Sequence, residues 1–201
     1  SWFRMERLVP TFAVWDDHDF GDNNGDRSSP MAGYMRGLFR AFWGSTDNAV
    51  WHKGHGAGSR LEAFGQRFYL LDGRSFRDPP ETPGGRHWGD EQLEWLLENV
   101  GRSSAPAWLV TGNQIFGRHR VRGPVEADQP DDLRRLVDGL SPLRAPVAFV
   151  TGDVHFSEIR QVDPDWASAL RHETPARRPA EKFGAGVQGR SWGAARGGPG
   201  R

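Results

Sequence analysis

The chain has 201 residues, no cysteine, and 26 Lys+Arg against 26 Asp+Glu. The missing cysteines exclude disulfides, Cys-ligated zinc, iron–sulfur clusters and thiol nucleophiles. No run of 18 apolar residues occurs, so no membrane-spanning helix is expected, and the neutral balance argues against a nucleic-acid binder.

In chain order, the first expected element is a strand at Thr11–Trp15, entered from Pro10 and left through Asp16-Asp17-His18-Asp19. Met31, Tyr34, Met35, Leu38, Phe39, Phe42 and Trp43 then recur at helical spacing. They predict an amphipathic helix over Pro30–Trp43 with its apolar stripe facing the core. Ser59–Phe64 and Arg67–Asp72 alternate and predict a strand pair. Leu93, Leu96, Leu97 and Val100 predict a second helix, with Asp90 as its N-cap. Ala107–Val110 reads as a strand entered from Ala105-Pro106 and left through Thr111-Gly112-Asn113-Gln114. Leu133, Leu136, Val137 and Leu140 predict a third helix after Asp131-Asp132. Val147–Val150 repeats the earlier strand pattern, entered from Ala145-Pro146 and left through Thr151-Gly152-Asp153-Val154-His155. Glu158–Val162 is the last expected strand. The apolar runs are continuous, which predicts strands buried on both faces in an α/β layered domain.

A compositional boundary falls near Trp166. Residues 166–201 hold seven Lys+Arg and two Asp+Glu, so the first 165 residues are net acidic. We expect a folded body over 1–165 and an Arg/Gly-rich disordered or divergent tail over 166–201. Arg190, Arg196 and Arg201 make weak RNA contact by that tail the one nucleic-acid expectation.

Polar residues crowd the ends of the apolar runs, where α/β sheets place their sites. Between positions 16 and 26 there are five Asp, two Asn and one His. So many carboxylates need a cation, a proton or full solvation. The competing reading is a solvated acidic turn. The EF-hand register fails, because Phe20 would occupy its first ligand position. Carboxylate with imidazole suits Fe, Mn, Zn or Ca better than a soft metal. In an extended chain Asp153 and His155 would point to one side and could share that cation. Asn113 and Gln114 add amides that could ligate a metal or bind phosphate. Gly184-Ala185-Gly186-Val187-Gln188-Gly189 matches a dinucleotide pattern, but no strand precedes it.

Together, Trp15-Asp16-Asp17-His18-Asp19-Phe20-Gly21 with Asn23-Asn24, Thr111-Gly112-Asn113-Gln114, and Thr151-Gly152-Asp153-Val154-His155-Phe156-Ser157-Glu158-Ile159 resemble the motifs of the PhoD-like alkaline phosphatases. These belong to the calcineurin-like metallophosphoesterase superfamily. The helix start Gly89-Asp90-Glu91-Gln92-Leu93 is similar too, and the resemblance spans about Val9 to Val162. It implies a four-layer αββα sandwich with a metal centre between two sheets. It implies hydrolysis of phosphomonoesters or phosphodiesters by a metal-activated water, with Fe and Ca as the ions, or Mn, Zn or Co. Asp17, Asp153 and His155 then stand at metal-ligand positions. His18 stands at that of the histidine that helps protonate the leaving oxygen. Asp16, Asp19, Asn23, Asn113 and Gln114 fall around substrate or behind the ligands. Many relatives carry a further ligand histidine where Asn113 and Gln114 stand. The family's first motifs precede this region, so the domain is expected to be incomplete on its N-terminal side. The alternative expectation is accordingly a catalytically inactive fragment. The resemblance also suggests an extracytoplasmic location.

Overall fold

The computed structural model describes residues 11–43, 50–51, 55–80, 82–117, 123–155, 157, 159 and 161–162. The chain divides into two compact units, Ser1–Asp153 and Val154–Arg201. The expected boundary at 165/166 and the Arg/Gly-rich tail lie outside the described residues.

The first unit is an α/β fold. Its elements run α1 (Asp17–Phe20), α2 (Ala32–Trp43), β1 (Val50–Trp51), β2 (Ser59–Ala63), β3 (Gln66–Leu70), α3 (Gly89–Gly101), β4 (Ala107–Thr111), α4 (Val125–Asp128), α5 (Pro130–Leu140) and β5 (Val147–Thr151). The five strands form one mixed sheet in the order β1-β2-β3-β4-β5. The first three pair antiparallel, and β3, β4 and β5 run parallel. β2 and β3 are joined by a two-residue turn, Phe64-Gly65, both with positive φ (54° and 71°). That conformation matches the twist of a hairpin, but it normally takes Asn-Gly. Phe64 is 95% exposed, so no packing offsets the unfavourable backbone.

The parallel register places Arg67 beside Ala107 and Tyr69 beside Leu109. This face meets α3, where the Tyr69 and Trp95 rings lie 5.9 Å apart, edge to face. α5 packs alongside α3; a β carbon on Gly139 would sit 2.4 Å from Leu97 Cδ1. Leu133, Leu136 and Leu96 are fully buried there. Arg67 ties the base of this layer. It donates to the backbone carbonyls of Asn99, Val100, Ser103 and Ala105 at 2.7–3.3 Å. It thereby satisfies carbonyls that the end of α3 leaves open.

Several expectations change. Thr11–Trp15 forms no strand; its apolar content supplies a plug instead. The Trp15 ring meets Phe20 at 5.1 Å and Phe39 at 5.2 Å in a separate small core. The strands are not covered on both faces. Along β4 burial alternates, and β5 is half-buried to exposed, with Val150 44% exposed. The α2 stripe is split: Met35 and Phe39 pack on the Trp15 plug, whereas Met31, Tyr34, Leu38 and Phe42 are exposed. The stripe is wider than the plug can cover. Asp90 is not the N-cap of α3; Trp88 holds that position, and Asp90 lies in the first turn, paired with Arg135 at 2.6 Å. A carboxylate there still suits the helix N-terminus. Of the expected strand Glu158–Val162, Glu158 and Arg160 lie outside the described residues.

Candidate functional site

Three segments converge at the carboxyl ends of the central strands. The backbone of Trp15-Asp16 crosses directly over Gly112, just past β4. A β carbon at Gly112 would lie 2.3 Å from the Trp15 carbonyl oxygen and 2.8 Å from Asp16 Cβ. Gly152, just past β5, closes on the same point: its β carbon would lie 2.5 Å from the Gly112 carbonyl. Glycine is required at both positions by this close approach.

A fourth segment leaves β3. Asp72 is 1% exposed and accepts four N–H groups: Trp15 Nε1 at 2.8 Å, Ala57 at 2.7 Å, and Arg74 and Ser75 at 2.9 Å each. Gln92 of α3 brackets it, accepting the Asp72 amide and donating to its carbonyl, both at 2.9 Å. Asp72 thus aims Arg74, whose Nε donates to Asp16 Oδ1 at 2.8 Å and whose guanidinium lies 3.9 Å from Asp17.

Asp17 is buried at the start of α1. Its carboxylate accepts the amides of His18 (2.9 Å) and Asn24 (2.8 Å). Burial pushes its carboxyl up, but the Asn24 amide, the Arg74 charge and the His18 amide outweigh this and hold it below the ordinary range. Asp16 behaves oppositely. Burial raises its carboxyl above that range against the pull of Arg74, and the charges of Asp17 and Asp153 add to the rise. The Arg74 charge opposes that rise more strongly than either neighbouring carboxylate adds to it.

Asp153 and His155 have φ of 72° and 54°. The chain is not extended there, so alternation does not place them on one side. Asp153 is exposed at the end of the first unit; His155 is exposed and belongs to the second. His18 is exposed on α1 beside Asp17, and Asp19 accepts the Asp16 amide at 3.1 Å. Asn23 is exposed, and its neighbour Asn24 makes the contact to Asp17. Asn113 is 1% exposed and points inward, next to Gly73, Thr111 and His87. Gln114 is buried with its carbonyl bonded to Val125, and its side chain lies against Gly117.

Asp72, Arg74 and His87 are the residues that motif reading passes over. Leu70-Leu71-Asp72-Gly73-Arg74 carries the same signal as the other strand ends, an apolar run stopped by Asp-Gly. Its alternating pattern disguises it as the tail of a hairpin strand.

Among the described residues, no three His, Asp or Glu side chains gather into a metal-binding group. The donors at the strand ends are hard carboxylate and amide oxygens, with Asp16, Asp17 and Asp153 gathered around the Arg74 guanidinium. That chemistry fits a hard cation. No helix among the described residues is long and apolar enough to cross a membrane. Comparisons with family models, curated proteins and solved structures found no match.

Proposed function

We propose that the chain carries part of a metal-dependent phosphoester hydrolase of the PhoD-like type, in a four-layer αββα sandwich to which this sheet contributes. The observation that carries the reading is the convergence of Asp16-Asp17, Gly112 and Gly152 at the strand ends, enforced by two glycine contacts. The resemblance of those three segments to the family motifs supplies the chemistry.

In this reading Asp17 and Asp153 hold the metal. When bound, it supplies an activated water and charge neutralisation at the phosphoryl oxygens. Arg74 holds Asp16 in place and limits repulsion between neighbouring carboxylates. The amides of His18 and Asn24 keep Asp17 ionised and fixed in direction. His18, exposed beside Asp17, donates a proton to the leaving oxygen.

The test is hydrolysis of p-nitrophenyl phosphate and its bis-ester with Fe, Ca or Mn added. Metal-dependent turnover is expected, abolished in Asp17→Ala and Asp153→Ala and lowered about 10²- to 10⁴-fold in His18→Ala. Turnover that ignores added metal, or survives both aspartate substitutions, overturns it.

A second reading has its own support. Asp16 is committed to Arg74, and both oxygens of Asp17 accept backbone amides. That suits a non-catalytic fragment in which the acidic turn anchors the Trp15 plug. It predicts no turnover with any added metal, together with a loss of stability in Asp17→Ala.

A further inference from the structure

We propose that His87 is the neutral centre of a one-directional hydrogen-bond relay, Asp78–Gln129–His87–Asn113–Thr111, which sets the orientation of the Asn113 amide behind the strand-end site. The relay stands on its own; its bearing on hydrolysis rests on the reaction proposed above.

His87 is completely buried just ahead of α3, and its ring meets Trp88 edge to face at 4.8 Å. Its backbone amide is anchored on Asp132 Oδ2 at 2.7 Å. The side-chain amides of Gln129 and Asn113 flank the ring, the Arg77 and Arg74 guanidiniums are the charges that act on it most strongly, and the Asp132 carboxylate faces its backbone. His87 Nε2 and the Asn113 amide both close on Gly73, where a β carbon would sit 3.2 Å from Nε2 and 2.3 Å from Oδ1.

Four buried atoms here have no partner: Gln129 Oε1, His87 Nδ1, His87 Nε2 and Asn113 Nδ2. Buried polar groups are rarely left so. Their chemistry matches in one order alone. Gln129 Nε2 donates to the Asp78 carbonyl at 3.0 Å, a fixed acceptor that sets the polarity of the amide. Gln129 Oε1 is then an acceptor and requires a proton on His87 Nδ1. A second proton on Nε2 would put a third positive charge beside Arg77 and Arg74 in a buried space. Burial first, and then those two arginines, hold the imidazole well below its ordinary pKa. Nε2 is therefore a lone-pair acceptor, and the Asn113 end that pairs with it is Nδ2. The amide oxygen is left to Thr111 Oγ1, 3.4 Å away, and to the strand end. His87 thus acts as a positioning residue, through Asn113.

The test is the tautomer, read by ¹⁵N NMR of the full chain labelled at histidine. One imidazole is expected to carry its proton on Nδ1 and to stay unchanged from about pH 7.5 to 5.5. It is assigned by its absence in His87→Gln, or through the Trp88 amide if that variant does not fold. A proton on Nε2, or titration within that range, overturns the relay. Asn113→Asp reverses the polarity: an acceptor replaces a donor, and His87 is expected to become doubly protonated at neutral pH. A folded Asn113→Asp with singly protonated His87 overturns it as well. If the chain hydrolyses the esters above, His87→Phe is expected to lower kcat about 10- to 100-fold, as loss of a supporting contact does. Absence of hydrolysis leaves the tautomer result standing and removes only the reaction.

Discussion

β4 and β5 are near copies in sequence: Ala-Pro, four apolar residues, then Thr-Gly followed by Asn or Asp. Their ends differ sharply. Thr111 and Asn113 are 2% and 1% exposed, whereas Thr151 and Asp153 are exposed. The difference is positional. β4 is flanked by strands on both sides, while β5 is the last strand of the sheet among the described residues. One local pattern therefore yields a buried polar network in one place and an accessible carboxylate in the other.

The largest effect is expected at the buried end. Asp72→Ala would leave four N–H donors without an acceptor, each worth about 1–3 kcal/mol when buried, so a loss of about 4 kcal/mol or more is expected in urea denaturation. A loss under about 1 kcal/mol would show that water replaces the carboxylate there. Gly112→Ala comes next. Its methyl must displace the Trp15 carbonyl, at a cost of about 2–3 kcal/mol, and indole fluorescence should report the shift of the plug. Gly152→Ala meets a similar contact, but β5 can yield, so a smaller loss is expected. Equal losses would break the comparison.

A pH series probes the interior directly. The unfolded chain binds a proton at His87 near pH 6.5, and the folded chain does so only well below it. Stability from this group is complete above about 6.5 and declines as pH falls, by up to about 1.4 kcal/mol per pH unit. Comparison with His87→Gln between about pH 6.5 and 5 isolates it, since the two chains share every other titrating group, the raised Asp16 included. Parallel curves would refute the assignment. At the accessible end, Asp153→Asn should change stability by no more than about 0.5 kcal/mol, because the side chain is exposed and Asn tolerates the positive φ. It should also lower the Asp16 pKa by removing one neighbouring charge, measurable by NMR titration.

Much of this architecture is legible from residue order. The stripes of Leu93–Val100 and Leu133–Leu140 fall in helices because each turn returns an apolar side chain to the sheet. Ala107–Val110 and Val147–Val150 form strands as their β-branched and aromatic content suggests. Thr11–Trp15 has the same composition but not the same fate. Trp15 has more to bury against Phe20 and Phe39 than a pleated position offers, and its indole N–H finds Asp72, 57 residues away. Such partners leave no local trace. Asp153 and His155 mislead for a different reason: the alternation argument assumes extended backbone, and both residues are left-handed. The convergence of the acidic turn with Gly112 and Gly152 was legible from the polar residues that end three apolar runs, although the first of those runs is no strand. Asp72, Arg74 and His87 were not, because their roles come from burial and distant partners.

The Arg67 clamp works on other terms than the strand ends. Its partners are backbone carbonyls and the Tyr69 hydroxyl, at 3.1 Å, rather than carboxylates. Carbonyl oxygens do not titrate in the range where proteins fold, and buried contacts are little screened by ions. The base of the β3–α3–β4 unit is thus indifferent to acid and to salt, while the opposite edge of the same sheet responds to both. A lysine, with three donors on one nitrogen, could not span the same set of oxygens.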